Sequence, residues 1–172
     1  RPIPEHIIND DFYLTCDVLD RGYTAEYAGE ALTSEATTGS VREEFNRRSR
    51  IAAGTWQSCL AFARLASPRR GWLAVGFISH RVLRNLAIPL MLPLIWLISR
   101  SMRHTHRSGQ VLHRGQQLAY GAAIIGLVTN TRVLAPFSEF LLVNAAQIRG
   151  GFRWIAGRET PLWDKPARST WA

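Results

Sequence analysis

The sequence predicts an α/β unit followed by α-helical membrane segments, on three observations. The first is a division of charge. Residues 1–70 hold ten acidic and nine basic side chains and residues 71–172 hold three acidic and twelve basic, which together give the net +8 of the 172-residue chain. The second is a helix-like segment followed by an alternating one near the N-terminus, and the third is a set of long apolar runs confined to the basic half. The mean hydropathy of −0.07 averages these two unlike halves. A hydrophobic content of 47% excludes a disordered chain, and two cysteines, Cys16 and Cys59, are too few for a disulfide scaffold of this size.

Phe12, Leu14, Cys16, Val18 and Leu19 fit a short helix over residues 11–19 that Arg21-Gly22 ends, with glycine as the left-handed residue after it. Tyr23 to Tyr27 alternates aromatic and polar side chains, as a half-buried strand does. Ser40-Val41-Arg42-Glu43 is a capping box, so a long helix starts there. On that helix Val41, Phe45, Ala52, Trp56, Leu60 and Ala63 fall near one stripe, while Arg42, Arg47, Arg48 and Arg50 surround the rest of its first turns. Gly54 lies two turns beyond Arg47 on the same face, where a missing side chain admits a close approach. Ser67-Pro68-Arg69-Arg70-Gly71 ends the helix and divides residues 1–70 from a membrane region, 71–150, and a basic tail, 151–172.

The apolar runs are Asn85 to Ser99, Gly115 to Thr131, and Val133 to Ile148, the last interrupted only by Glu139. Each is 15 to 17 residues long, close to the roughly 17 to 20 needed to cross a bilayer. Arg81 and Arg84 before the first run, and Arg100 and Arg103 after it, lengthen it by snorkelling to headgroups. Two or three spans are expected. With two, Val133 to Ile148 is interfacial or re-entrant and the tail carrying Arg149, Arg153, Arg158, Lys165 and Arg168 is cytoplasmic, in accord with the positive-inside rule. A sequence pI near 10.7 raises nucleic acid as a partner. The basic residues bracket apolar runs instead of clustering on one face, so membrane lipid is the expected partner and nucleic acid is not. The chain opens Arg1-Pro2-Ile3-Pro4 with neither Met nor a signal pattern, and is expected to be a piece of a longer protein.

Two groups of residues could carry chemistry. Asp10 and Asp11, at the start of the first helix, fit first-turn residues facing solvent, or a general base at a pocket rim that deprotonates an acceptor hydroxyl. Arg47 and Arg50, three apart on the capped helix, could steady a diphosphate by charge-assisted hydrogen bonds, with Arg48 on the solvated face. His80, beside Arg81, reads as an interfacial side chain.

In this order and ahead of apolar runs, these elements resemble the C-terminal part of the family 2 glycosyltransferases, the membrane-integrated group of cellulose, chitin, hyaluronan and poly-N-acetylglucosamine synthases. The family's Thr-Glu-Asp, then Leu, then Gly-Tyr is matched by Asn9-Asp10-Asp11, Leu14 and Gly22-Tyr23. Its Gln-x-x-Arg-Trp falls on Arg47-Arg48-Ser49-Arg50-Ile51, with Gly54 following as in the family. Phe77 to Arg84 looks like the entry into the first C-terminal membrane helix, and Gly157-Arg158-Glu159 to Trp163-Asp164 like the basic tail of bacterial members.

The resemblance implies the last portion of a GT-A type domain ahead of the membrane helices, in a bacterial inner membrane with the catalytic part cytoplasmic. It implies Asp11 as the catalytic base, and Asp10, Arg47, Arg50 and Gly54 as substrate-binding residues. Transfer would run with inversion from a nucleotide-sugar donor to a saccharide or lipid-linked acceptor. It also implies a divalent metal, Mg or Mn, in the full-length enzyme, held by an Asp-x-Asp motif that does not occur in this sequence, so this fragment alone is expected to be inactive. Ile51 offers no flat face to a sugar ring where the family has Trp, so transfer of one or a few sugars is as well accommodated as processive synthesis. The competing reading is a non-enzymatic, basic, membrane-anchored scaffold whose N-terminal segment binds a partner.

Overall fold

The computed structural model describes residues 3–26, 28–31 and 40–161. Helix α1 (Asp10–Asp20) starts at Asn9, whose Oδ1 accepts the Phe12 N–H at 3.4 Å. It ends in a Schellman motif: Gly22 takes φ +88°, its N–H donates to Leu19 O at 3.1 Å, and the Tyr23 N–H donates to Val18 O at 3.2 Å. Among the described residues no strand forms, which overturns the α/β expectation; the protein is all-helical. Over Tyr23–Glu26 the expected strand does not form: the Tyr23 amide caps α1, and among the described residues there is no strand to pair with it. Tyr27 itself lies outside the described residues, as do Trp163, Asp164, Lys165 and Arg168 of the tail.

Helix α2 (Val41–Ala61) begins where the capping box places it, with the Glu43 N–H donating to Ser40 Oγ at 3.2 Å. Its buried face matches the expected stripe only in part, at Ala52, with Phe45 and Trp56 half-buried. Val41 and Leu60 are exposed, and the buried residues are the small ones, Ser49, Ala52, Ala53, Thr55, Ser58 and Cys59. Two short 3₁₀ turns (Ala63–Ala66 and Pro68–Arg70) follow, and Gly71 at φ +56° starts the next helix. Arg64 and Arg70 both pair with the buried carboxylate of Asp20, and Arg70 also donates to Leu19 O and Asp20 O, so this turn is tied to the C-terminus of α1.

From Trp72 the chain is one continuous helix to Met102: α3 (Trp72–Phe77), a π-wound segment (Ile78–Ala87) and α4 (Ile88–Met102). The π winding has a packing cause. Leu73, Phe77, Val82 and Leu86, at intervals of four, five and four, all pack with Phe12, Cys16, Cys59, Phe62 and Leu65 in the core. An α-helix of 3.6 residues per turn would rotate such a set out of line, and the wider turn keeps it on one face.

This helix is long and apolar enough to cross a membrane: it has 31 residues, and only 11% of its most apolar 18-residue window is buried inside the protein. Leu90, Met91, Leu94, Leu97 and Ile98 project outward from it. At about 1.5 Å per residue, Arg81 and Arg103 stand roughly 33 Å apart, slightly less where the winding is π, which matches the ~30 Å hydrocarbon thickness of a bilayer.

The second and third apolar runs form α5 (Arg107–Thr129) and α6 (Ala135–Ile155). Ser99 of α4, within 3.0 Å of Gln116 Oε1 and 3.4 Å of His113 Nδ1, stitches α4 to α5. Ser138 donates to Ala123 O at 3.0 Å and joins α5 to α6. Helix α6 packs most extensively on α2, and the two run parallel: Val41 and Glu44 share a cleft with Ala135 and Ser138, whereas Ser49 and Ala52 meet Gly150 and Trp56 meets Gly151. Glu139 pairs with Arg48 at 2.9 Å, and Arg149 donates to Asn46 at 2.7 Å. The charged half of α2 therefore covers one face of the third apolar run, and Arg48 bridges Glu44 and Glu139 where a solvated face was expected.

Candidate functional site

The N-terminus of α1 is fixed on α2 by two devices. Gln57 accepts the Ile8 N–H at 3.0 Å and donates to His6 O at 3.0 Å, which holds the incoming chain. Gly54 then lets that chain come close, since a Cβ built there would stand 2.3 Å from the Asn9 Cβ and 2.8 Å from the Asn9 N. The close approach expected at Gly54 is made by the protein's own backbone, so this glycine sets the position of the site and does not line it.

The site is an open cavity of about 840 Å³. It gathers Asp10, Asp11 and Thr15 of α1, Arg47, Arg50 and Ile51 of α2, and Arg81 of the π-wound segment, with Ile7, Ile8, Phe12 and Pro161 as largely apolar walls. Asp10 and Asp11 are exposed; the Asp11 N–H donates to Asp10 Oδ1 at 3.1 Å, and Thr15 donates to Asp11 O at 3.0 Å. Both carboxylates stand in the first turn of α1, at the positive end of the helix dipole.

The arginines are held differently. Arg47 binds Glu44 in bidentate fashion, Nε to Oε2 at 3.0 Å and Nη2 to Oε1 at 3.2 Å. Arg50 spans the cavity wall, donating through Nη2 to Pro161 O at 2.9 Å and to Ile8 O at 3.4 Å. Arg81 lies over the Phe12 ring, its Cζ 4.4 Å from the centroid. Sequence reasoning gave Arg81 to the membrane collar alone. Its place in the cavity follows from the π winding, which a 3.6-residue period does not anticipate.

Beneath the cavity the core is apolar and its thiols are inert. Burial pushes the Cys16 thiol up to about 12, helped by the neighbouring Cys59, and burial pushes Cys59 up to about 11; Arg81 opposes both shifts. Among the described residues no group of three or more His, Cys, Asp or Glu side chains comes together. Asp10 and Asp11 are the only carboxylates among the described residues lining the cavity, and the Asp-x-Asp motif expected to hold Mg or Mn does not occur in this sequence.

Comparison with known proteins finds no family model, no curated protein and no solved structure that matches this chain. The chemistry of the site therefore rests on its geometry: a carboxylate pair facing guanidinium groups, at the foot of a helix able to enter a membrane.

Proposed function

We propose that this chain carries the acceptor-activating part of a membrane glycosyltransferase of family 2 type, using a nucleotide-sugar donor and inverting the anomeric centre. The observation that carries this reading is that Asp10 and Asp11, at one end of the described chain, share a cavity with Arg47 and Arg50, more than thirty positions later. An accidental pair of first-turn acids has no need of guanidinium groups opposite.

In the proposed reaction the acceptor hydroxyl attacks the anomeric carbon from the face opposite the diphosphate. Asp11 takes the hydroxyl proton as the new C–O bond forms. The bond to the diphosphate breaks with its electron pair on the leaving oxygen, which is why no second carboxylic acid is needed. Arg50 and Arg47 stabilise that growing charge, Arg47 from the orientation its bond to Glu44 fixes. Asp10, the substrate-binding acid beside the base, accepts the Asp11 N–H in the first turn of α1.

A helix long and apolar enough to cross a membrane supports a cavity near a membrane surface, with α5 beside α4, and α6 against charged α2 as an interfacial element. A bacterial inner membrane with the cavity on the cytoplasmic side suits the basic residues of α6 and the tail.

The test compares Asp11→Asn with wild type for sugar transfer in membranes holding the full-length protein, with Asp17→Asn as control, since Asp17 pairs with Arg21 away from the cavity. Loss of a general base is expected to cost about 10²- to 10⁴-fold. Undiminished transfer by Asp11→Asn would remove Asp11 from the mechanism and favour the scaffold reading.

A further inference from the structure

Of the three arginines lining the cavity, Arg81 alone is held by a ring and not by oxygen acceptors. Arg47 is committed to Glu44 and Arg50 to two carbonyls, whereas Arg81 holds its Cζ 4.4 Å from the Phe12 ring centroid and forms no ion pair among the described residues. A guanidinium held over a ring can still offer N–H groups to a phosphate or carboxylate.

The position of Arg81 along the chain says from which side a ligand would come. It sits on the helix long and apolar enough to cross a membrane, four residues before the charge-free run from Asn85, and Ile78, Leu83 and Ile88 are exposed along that helix. A soluble anion would need no such exposed apolar helix beside its site. A phosphate attached to a hydrocarbon chain would have its head at Arg81, open to the cavity, and its tail along the outer face of the same helix.

We propose that Arg81 is the anion-recognition residue of this cavity for a phosphate carried on a membrane lipid. As an account of the acceptor this rests on the transferase reading above; as a lipid-phosphate site it stands without it. The arrangement puts the phosphate in the same cavity as the Asp11 carboxylate. It also separates two anionic groups, assigning a lipid phosphate to Arg81 and a nucleotide diphosphate to Arg50 and Arg47.

The test reads binding and not transfer, so its failure and that of the transferase reading are separable. The protein is placed in phosphatidylcholine nanodiscs with a minor fraction of phosphatidic acid, and lipid retained on release is measured by native mass spectrometry. Arg81→Gln should lower phosphatidic acid retention about tenfold, whereas Arg84→Gln, on the same helix but outside the cavity, should not. Equal loss in both variants would reduce the effect to the general charge of the collar and overturn the proposal, as would undiminished retention in Arg81→Gln.

A wild-type measurement covers the case in which Arg81→Gln loosens the fold. Modification of Arg81 by phenylglyoxal should slow when phosphatidic acid is in the bilayer and stay unchanged with inorganic phosphate or UDP in solution. Protection by UDP with none by phosphatidic acid would assign Arg81 to the soluble donor and overturn the lipid assignment.

Discussion

Gly54 and Asn9 touch so closely that the hydrogen of the glycine is the side chain the contact can hold: a Cβ there would reach 2.3 Å from the Asn9 Cβ and 2.8 Å from its amide nitrogen. Asn9 is the cap of α1, and the next two residues are the carboxylates of the cavity. Gly54→Ala must move backbone and not a flexible side-chain end. We expect a loss of about 1 to 3 kcal/mol in stability, together with reduced transfer, since Asp11 shifts relative to Arg50. Thermal melting and sugar transfer measured on the same preparation check this, and a variant with wild-type values for both would show that the contact yields.

The α2–α6 interface responds in the same way at Gly150, where a Cβ would stand 2.2 Å from Ser49 O and 2.6 Å from the Ala52 Cβ. Gly150→Ala is expected to destabilise by about 1 to 3 kcal/mol. Gly115 has nothing within 4 Å of its Cβ position, so Gly115→Ala should stabilise the interior of α5 by about 0.5 to 1 kcal/mol. Opposite signs from one substitution type, read in parallel denaturation curves, separate packing from helix propensity.

The Arg48–Glu139 pair joins α2 to α6, yet its carboxylate side chain is 59% exposed. Exposed pairs contribute about 0 to 1 kcal/mol. Glu139→Gln should therefore shift stability by less than about 1 kcal/mol, and the difference should shrink as salt rises. A larger, salt-independent loss would mean that the pair is shielded from water.

Cys16 and Cys59 make stability depend on alkaline pH. Their folded-state values, about 12 and about 11, lie above the ordinary thiol value of 9.0, so the folded protein holds protons that the unfolded chain releases. The associated stability is complete below about pH 9 and is lost as pH climbs towards 11 and 12, with thiolate formation favouring the unfolded chain. Cys16→Ala/Cys59→Ala should flatten that part of the curve. In the wild type, iodoacetamide at neutral pH should label neither thiol until denaturant is added.

The local signals in the sequence were readable because each is closed within a few residues. The Ser40 cap, the Gly22 ending of α1 and the break at Ser67 to Gly71 are satisfied by their own neighbours. Asp10, Asp11, Arg47 and Arg50 were likewise recognisable, as residue types suited to one chemistry, and the fold brings them to one cavity. Three features depended on distant partners and were hidden. The alternation after Gly22 looked like a strand, although no sheet awaited it. The expected α2 stripe includes Val41 and Leu60, which are exposed, and shares Ala52 with the face that α6 approaches through Gly150 and Gly151, where the buried residues are small. Arg81 was assigned by its distance from an apolar run, while the π turn that aims it is set by the core spacing of Phe77, Val82 and Leu86.

The parallel pairing of α2 with α6 also has a consequence for how the molecule is made. Helix α2 leaves the ribosome well before α6, with the long membrane-compatible helix and α5 between them. Until those have been synthesised and α6 has returned, Ser49, Ala52 and Ala53 have no counterpart to bury against, and Arg50 has no Pro161 carbonyl to hold. Completion of the cavity is thereby made to wait for the last helix: α1 can dock on α2 through Gln57 and Gly54 at once, but the wall that Arg50 closes with Pro161 is the last part to form.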